Sequence, residues 1–240
     1  MIRHFHPFKI VLVTLLVALC AWAPPADASP DKFLLPEIRA NHPALTHADV
    51  LIDVGHGGID PGTSYGTLLE KDINLAIAKK TFECLRKKGY VVMLNRSGDY
   101  ALSSENGWLR TRSRHIKDLA QRSHLANEVK PKMLISLHVN SARRPEKRGP
   151  LVLHQKNERS KQLAAALQAA LNPLYGVSET PVYGRTYYLL KHTQVPAVIV
   201  ELGFITNAED RSLLQKSNMQ WTISDKIAQG VTSYLQQQPR

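Results

Sequence analysis

His56, Glu70, His138 and Glu201 are the side chains here whose types could do hydrolytic chemistry together. His56 lies in Gly55-His56-Gly57-Gly58, and Glu70 in Leu69-Glu70-Lys71-Asp72. His138 lies in Ile135-Ser136-Leu137-His138-Val139-Asn140, and Glu201 in Val198-Ile199-Val200-Glu201. Two imidazoles and a carboxylate are a standard donor set for catalytic zinc, which takes three protein ligands and keeps a position for water. A further carboxylate then serves as base toward water and as acid toward a leaving amine. Spacing alone does not prove such a set, because the residues are scattered, unlike a compact H-E-x-x-H helix. A histidine after a strand is commonly a hydrogen-bonded turn residue, and Glu70 also suits the positive end of a helix dipole. Glu201 is harder to explain structurally. A carboxylate directly after Val-Ile-Val costs free energy unless it is paired or bound to a metal. The glycine-rich turn around His56 could cradle phosphate, but it lacks the Gly-Lys-Ser/Thr ending of a P-loop.

The elements that must hold these residues alternate in type. Val50–Val54, Tyr90–Leu94, Met133–Val139, Leu151–His154 and Ala197–Glu201 are short apolar, β-branched runs that read as strands. Asp72–Lys88, Arg110–Val129, Arg159–Leu171, Ala208–Leu214 and Asn218–Leu235 carry helical spacing. For 110–129 the expected inner face is Ile116, Leu119, Leu125 and Ala126, with the arginines on a solvated face. Strands separated by helices imply a single α/β domain. Its sheet is expected to be twisted and mostly parallel, of about six strands, with helices on both faces. Ligand sites in such sheets gather at the carboxyl ends of the strands. His56, His138 and Glu201 all stand at such ends.

Hydrophobic residues at 43% and charged residues at 21% are enough for a packed core. Residues 1–28 read as an export segment: Arg3 and Lys9, the apolar run from Ile10 to Ala23, Pro24-Pro25, then Ala26-Asp27-Ala28 before Ser29. The run is shorter than the ~20 residues a spanning helix needs, so cleavage is expected, with an uncleaved membrane anchor as the alternative. Leu19 before Cys20 argues against a lipoprotein signal, and Cys84 then remains alone and forms no internal disulfide. Residues 29–47 read as a linker and 48–238 as the catalytic domain, with no length left for a separate binding module. The formal net charge is +11, nearly all of it outside the export segment. Such a charge suits an anionic surface or serves solubility alone. No nucleic-acid-binding motif is present, so nucleic acid is not an expected partner.

Four motifs in order carry a family resemblance. They are Leu51-Ile52-Asp53-Val54-Gly55-His56-Gly57-Gly58-Ile59-Asp60-Pro61-Gly62, Glu70-Lys71-Asp72, Ser136-Leu137-His138-Val139-Asn140-Ser141-Ala142, and Val200-Glu201-Leu202-Gly203-Phe204-Ile205-Thr206-Asn207. From about Val50 to Leu235 the chain resembles the zinc-dependent N-acetylmuramoyl-L-alanine amidases of the amidase-3 type. The resemblance implies one zinc held by His56, Glu70 and His138, with Glu201 as the acid/base. It implies hydrolysis of the amide between the lactyl group of N-acetylmuramic acid and L-alanine of the peptidoglycan stem peptide. Asn140 is a candidate for substrate binding. Asp53 and Asp60 are candidates for supporting the ligands, Asp53 equally for fixing the loop through backbone hydrogen bonds.

A finer resemblance is to the sporulation-linked members, which act on spore cortex. It rests on the bare domain behind an export segment and on Arg112-Ser113-Arg114-His115-Ile116-Lys117-Asp118-Leu119-Ala120-Gln121-Arg122. It implies an accessory protein and a downstream deacetylase as partners. The alternatives are a vegetative autolysin, another wall-directed zinc peptidase or deacetylase, and a non-catalytic wall-binding protein. Division-type members carry a long insertion after the second histidine that covers the zinc. Here Ser141–Pro150 is short and basic, so an open, uncovered site is expected.

Overall fold

The computed structural model describes residues 47–238. The export segment and nearly all of the linker expected from the sequence lie outside the described residues. No helix among the described residues is long and apolar enough to cross a membrane.

The main strands are β1 (Val50–Val54), β4 (Val92–Leu94), β5 (Met133–Asn140), β6 (Leu151–His154), β7 (Val182–Tyr183) and β8 (Ala197–Phe204). They form one sheet in the order β4-β1-β5-β8-β6-β7. The four strands from β4 to β8 are parallel, and β6 runs antiparallel to β8 with β7 parallel to β6. The reversal of β6 follows from its connection. A parallel neighbour needs a crossover of a dozen or more residues, usually helical, and Ser141–Pro150 contains no helix. A separate hairpin joins β2 (Ser64–Tyr65) to β3 (Leu68–Leu69). This hairpin and two-residue β7 escape sequence periodicity because so few residues carry no measurable period.

The helices are α1 (Glu70–Lys87), α2 (Arg114–Val129), α3 (Glu158–Tyr175), α4 (Tyr188–His192), α5 (Ala208–Gln215) and α6 (Ser217–Gln237). One face of the sheet is covered by α1, α3, α5 and α6. There Val50, Ile52, Val54, Ile135, Leu137, Val198 and Val200 pack against Ile77, Leu163, Leu167, Ile227 and Val231. The other face is covered by α2 and α4. Its smaller cluster holds Leu51, Leu134 and Ile199 against Ala126, Leu189 and Leu190.

Helix α2 departs from its expected form at both its start and its inner face. It begins at Arg114 because the Ser113 hydroxyl accepts from the Ile116 amide at 3.2 Å and caps it. The buried residues are Ala120, Arg122, Ser123 and Ala126, while Ile116 is exposed. Arg122 therefore points inward, not into solvent, because it finds buried carboxylate and carbonyl partners. Helix α3 also runs past its expected end at Leu171, since Leu171 and Tyr175 are both buried one turn apart. It stops at Gly176, whose φ of 63° is the left-handed conformation usual after a helix.

Candidate metal and catalytic site

Strand alternation puts Asp53, Ser136, His138 and Glu201 on the two-helix side of the sheet. Their neighbours Val54, Leu137 and Val200 enter the larger core on the other side. His138 and Glu201 are register partners on β5 and β8. Glu70 is delivered differently. The β2–β3 hairpin turns the chain, the Glu70 amide donates to Thr63 O at 2.9 Å, and α1 begins at Glu70 itself. Its side chain, 3% exposed, then lies against both histidines.

His56 Nε2 is 3.1 Å and His138 Nδ1 is 3.0 Å from the same oxygen, Glu70 Oε1. One ligand atom from each of the three residues falls within a 4.8 Å group. His56 Nδ1 is taken by Asp60 Oδ2 at 2.7 Å, which turns Nε2 toward Glu70. The other Asp60 oxygen accepts the Gly62 amide at 3.1 Å. Glu70 is fixed by the Thr63 amide at 2.8 Å and the Val139 amide at 3.0 Å.

Two glycines make this convergence sterically possible. A Cβ on Gly55 would lie 2.5 Å from Cε1 of His138, and one on Gly62 would lie 2.5 Å from Oε2 of Glu70. His56 has a left-handed backbone, φ 61°, which costs a non-glycine residue about 1–3 kcal/mol. Two buried arginines offset it by holding three successive carbonyls. Arg96 donates Nε to Val54 O at 3.1 Å and Nη2 to Gly55 O at 3.0 Å. Arg122 donates Nη1 to Val54 O at 2.7 Å and Nη2 to His56 O at 2.9 Å.

The charge on Arg122 is balanced by Asp53 at 2.8 Å and Asp118 at 2.6 Å. Asp53 also accepts from the Asn95 amide and the Ser136 hydroxyl. Its partners are thus side chains from β1's neighbours and α2, not the backbone amides of the loop. Burial pushes the Asp53 pKa up, but Arg122 and Ser136 outweigh it and hold the carboxyl below the usual range.

The titration behaviour separates the two glutamates. For Glu70, burial is overcome by hydrogen bonds from His138 and His56, and its pKa falls well below the carboxylate range. Burial lowers the His56 pKa, but the Glu70 and Asp60 contacts win and raise it to about 9. Glu201 goes the other way: burial, opposed by His138 and reinforced by Glu70, raises it to about 7. Glu201 lines a cavity of about 320 Å³ with His56, Asp60, His115, Asp118, His138, Tyr187 and others. Asn140 is not among the lining residues. Its side-chain oxygen accepts the amide of Ser141 at 2.8 Å.

The donor chemistry fits a divalent metal. Two imidazole nitrogens and a carboxylate oxygen already converge, and the carboxylate on His56 Nδ1 is the usual orienting partner of a metal-bound histidine. Sequence reasoning passed over Asn95, Arg96 and Tyr187, and named His115 and Arg122 only within the stretch 112–122 that carried the finer resemblance, with the arginines on a solvated face. Asn95 and Arg96 follow β4 directly, where the strand-end rule pointed. Arg122 stands three residues after Leu119 and four before Ala126, which is core spacing on a helix.

Fold and site together define an α/β domain in which, among the described residues, His56, Glu70 and His138 form one group able to hold a metal ion near the strand ends. The chain belongs to the N-acetylmuramoyl-L-alanine amidase family, whose model matches residues 50–233. Its activity is that of the family, peptidoglycan amide hydrolysis. An uncharacterized protein of Bacillus subtilis strain 168, YqiI, is 31% identical over 191 residues, covering 78% of this chain and 85% of that protein. The germination-specific N-acetylmuramoyl-L-alanine amidase of the same strain is 29% identical over 190 residues, covering 78% and 79%. Among solved structures, the CwlD amidase of Clostridioides difficile, in complex with the GerS lipoprotein, matches with a TM-score of 0.73. It is 30% identical, covering 79% of this chain and 99% of that one.

Proposed function

We propose that this chain hydrolyses the amide between the lactyl group of N-acetylmuramic acid and L-alanine of the stem peptide, using one zinc ion. His56, Glu70 and His138 would hold the zinc, and Glu201 is the acid/base. The observation that carries this reading is the convergence of the three donors within 4.8 Å, with Glu201 beside His138 on the neighbouring strand. When bound, zinc supplies Lewis-acid chemistry that polarises a carbonyl and makes water more acidic. Glu201 takes a proton from the attacking water and passes it to the departing alanine nitrogen. A pKa raised to about 7 lets it do both near neutral pH. Asp60 fixes the His56 ring, and Arg96 and Arg122 fix its backbone. Asn140, just past His138, contacts substrate once the substrate reaches the rim of the site.

The setting we propose is outside the cytoplasm, reached through the N-terminal export segment, with spore-cortex peptidoglycan as substrate. Support for the cortex comes from the likeness to the germination-specific amidase and to CwlD. By the same likeness a lipoprotein is the proposed accessory partner, and a deacetylase acts on the product. An uncovered site is supported by Ser141–Pro150, which forms no helix.

The test is product analysis on purified cortex and vegetative wall, with and without a chelator. Lactyl-bearing muramic acid and stem peptides starting at L-alanine, lost with the chelator, are expected. Cleavage inside the stem peptide would show a peptidase instead. Equal rates on both walls would point to a vegetative autolysin.

A further inference from the structure

The loop Ser141–Pro150 leaves β5 two residues after His138 and carries Arg143, Arg144, Lys147 and Arg148 against one acid, Glu146. Its backbone is tied down along its length. The Ala142 amide donates to Thr206 Oγ1 at 3.1 Å, and Asn207 Nδ2 donates to Pro145 O at 2.7 Å. The Lys147 amide closes a turn on Arg144 O at 3.2 Å, and the Gly149 amide donates to Asp210 Oδ2 at 2.7 Å. Arg148 serves this tether: it pairs with Glu209 and donates to Tyr175 O at 3.0 Å. Arg143, Arg144 and Lys147 do not. All three are exposed, and among the described residues none has a carboxylate partner within ion-pair distance. With Ala142 and Glu146 they line a concavity of about 510 Å³.

Three cations on a fixed backbone repel one another; Glu146 in the same lining offsets part of that charge, and an anion from outside relieves the rest. A fixed backbone also lowers the ordering cost of binding one. The position matters as much as the charge. Asn140 pairs with Phe204, and the Lys147 ammonium sits 5.7 Å from the Phe204 ring centroid. Phe204 lies three residues beyond Glu201 on β8 and its partner Asn140 two beyond His138 on β5, across a bulge, which puts it roughly 7–10 Å further along the sheet. An extended peptide covers the same distance in about two or three residues. A peptide leaving the scissile amide at Glu201 can therefore bring carboxylates two or three residues on into this concavity.

We propose that Arg143, Arg144 and Lys147 form the subsite that receives the free carboxylates of the stem peptide. The subsite makes the enzyme prefer acidic stem peptides over their amidated forms. This rests on the amidase reading of the site above.

The experiment uses the full chain and synthetic muramoyl peptides of one length, with their carboxylates either free or amidated. Wild type is expected to favour the free acid by about tenfold in kcat/KM, mainly through KM, and to lose that preference between about 0.05 and 0.5 M salt. The triple variant R143Q/R144Q/K147Q should bring the ratio near one at low salt while its thermal midpoint stays close to wild type, as expected for exposed substitutions. An unchanged ratio in the variant overturns the subsite, as does a wild type indifferent to amidation. A variant that loses affinity for a phosphate polymer of the wall but keeps the peptide preference also overturns it. Wild type that cleaves neither peptide defeats the amidase reading itself.

Discussion

The two faces of the sheet are made by the same strands and hold opposite contents. Val50, Ile52 and Val54 point into a large apolar core under four helices, while Leu51 and Asp53 point the other way, under two. Along β5 the pattern repeats: Ile135 and Leu137 enter the large core, while Ser136 and His138 face the cavity side. On β8, Val198 and Val200 oppose Ile199 and Glu201. The first face is held by apolar burial, which is non-directional and tolerates local adjustment. The second adds to its smaller apolar cluster buried charge and hydrogen bonds, which act only at set distances and angles. The first face needs no particular partners, whereas on the second each charged group depends on its own partners, and there Glu201 stands beside the metal-binding group without an ion pair among the described residues.

This division is sharpened most by Glu201→Gln. The substitution keeps the shape of the site and removes the proton carrier, so kcat should fall about 10²–10⁴-fold. Zinc content by metal analysis and the thermal midpoint should stay near wild type. Retention of full activity would remove Glu201 from the chemistry.

Arg122→Met asks whether the cavity face contributes stability only through its pairs. Breaking a buried ion pair on one side costs about 3–5 kcal/mol, measurable by denaturant unfolding. The pH dependence has a definite sign. In wild type Asp53 has a depressed pKa, so its contribution is complete above the unfolded value near ~4 and is lost as pH falls through the lower folded value. In the variant, burial is left without its main opponent and raises the Asp53 pKa. The stability gap between variant and wild type should then narrow as pH falls from the variant's raised Asp53 pKa, above about 4, toward the depressed wild-type value. A constant gap would show that the Arg122–Asp53 pair is not its source.

Leu167→Ala tests the other face. Leu167 is fully buried between α3 and α6, and the loss should be about 2–5 kcal/mol. The kcat of the folded fraction should not change. A fall in kcat below the unfolding range would mean the two faces are coupled.

The smallest expected effect is from Asp60→Asn. Removing the carboxylate from His56 Nδ1 should weaken zinc about 10–100-fold, read by competition with a chromogenic chelator, with little change in stability. Unchanged affinity would make Asp60 a loop residue that serves only Gly62.

Much of the molecule was legible in the sequence. The apolar runs of β1, β5 and β8 and the spacing of α1, α3 and α6 report their own burial locally. The strand-end rule picked out His56, His138 and Glu201, and the four ordered motifs supplied the family. Local patterns could not reveal the fate of polar groups, because that depends on partners far along the chain. Arg122 reads as a surface arginine until Asp53, 69 residues away, lies against it. Glu70 reads as a helix-start charge until the hairpin turns it onto His138, 68 residues on. The tethering of the basic loop was likewise decided by packing against α5 and the residue that caps it. Apolar burial is written in periodicity because any neighbouring apolar surface satisfies it. Polar burial is favourable only with a particular partner at hydrogen-bond distance, and only the tertiary structure brings that partner into place.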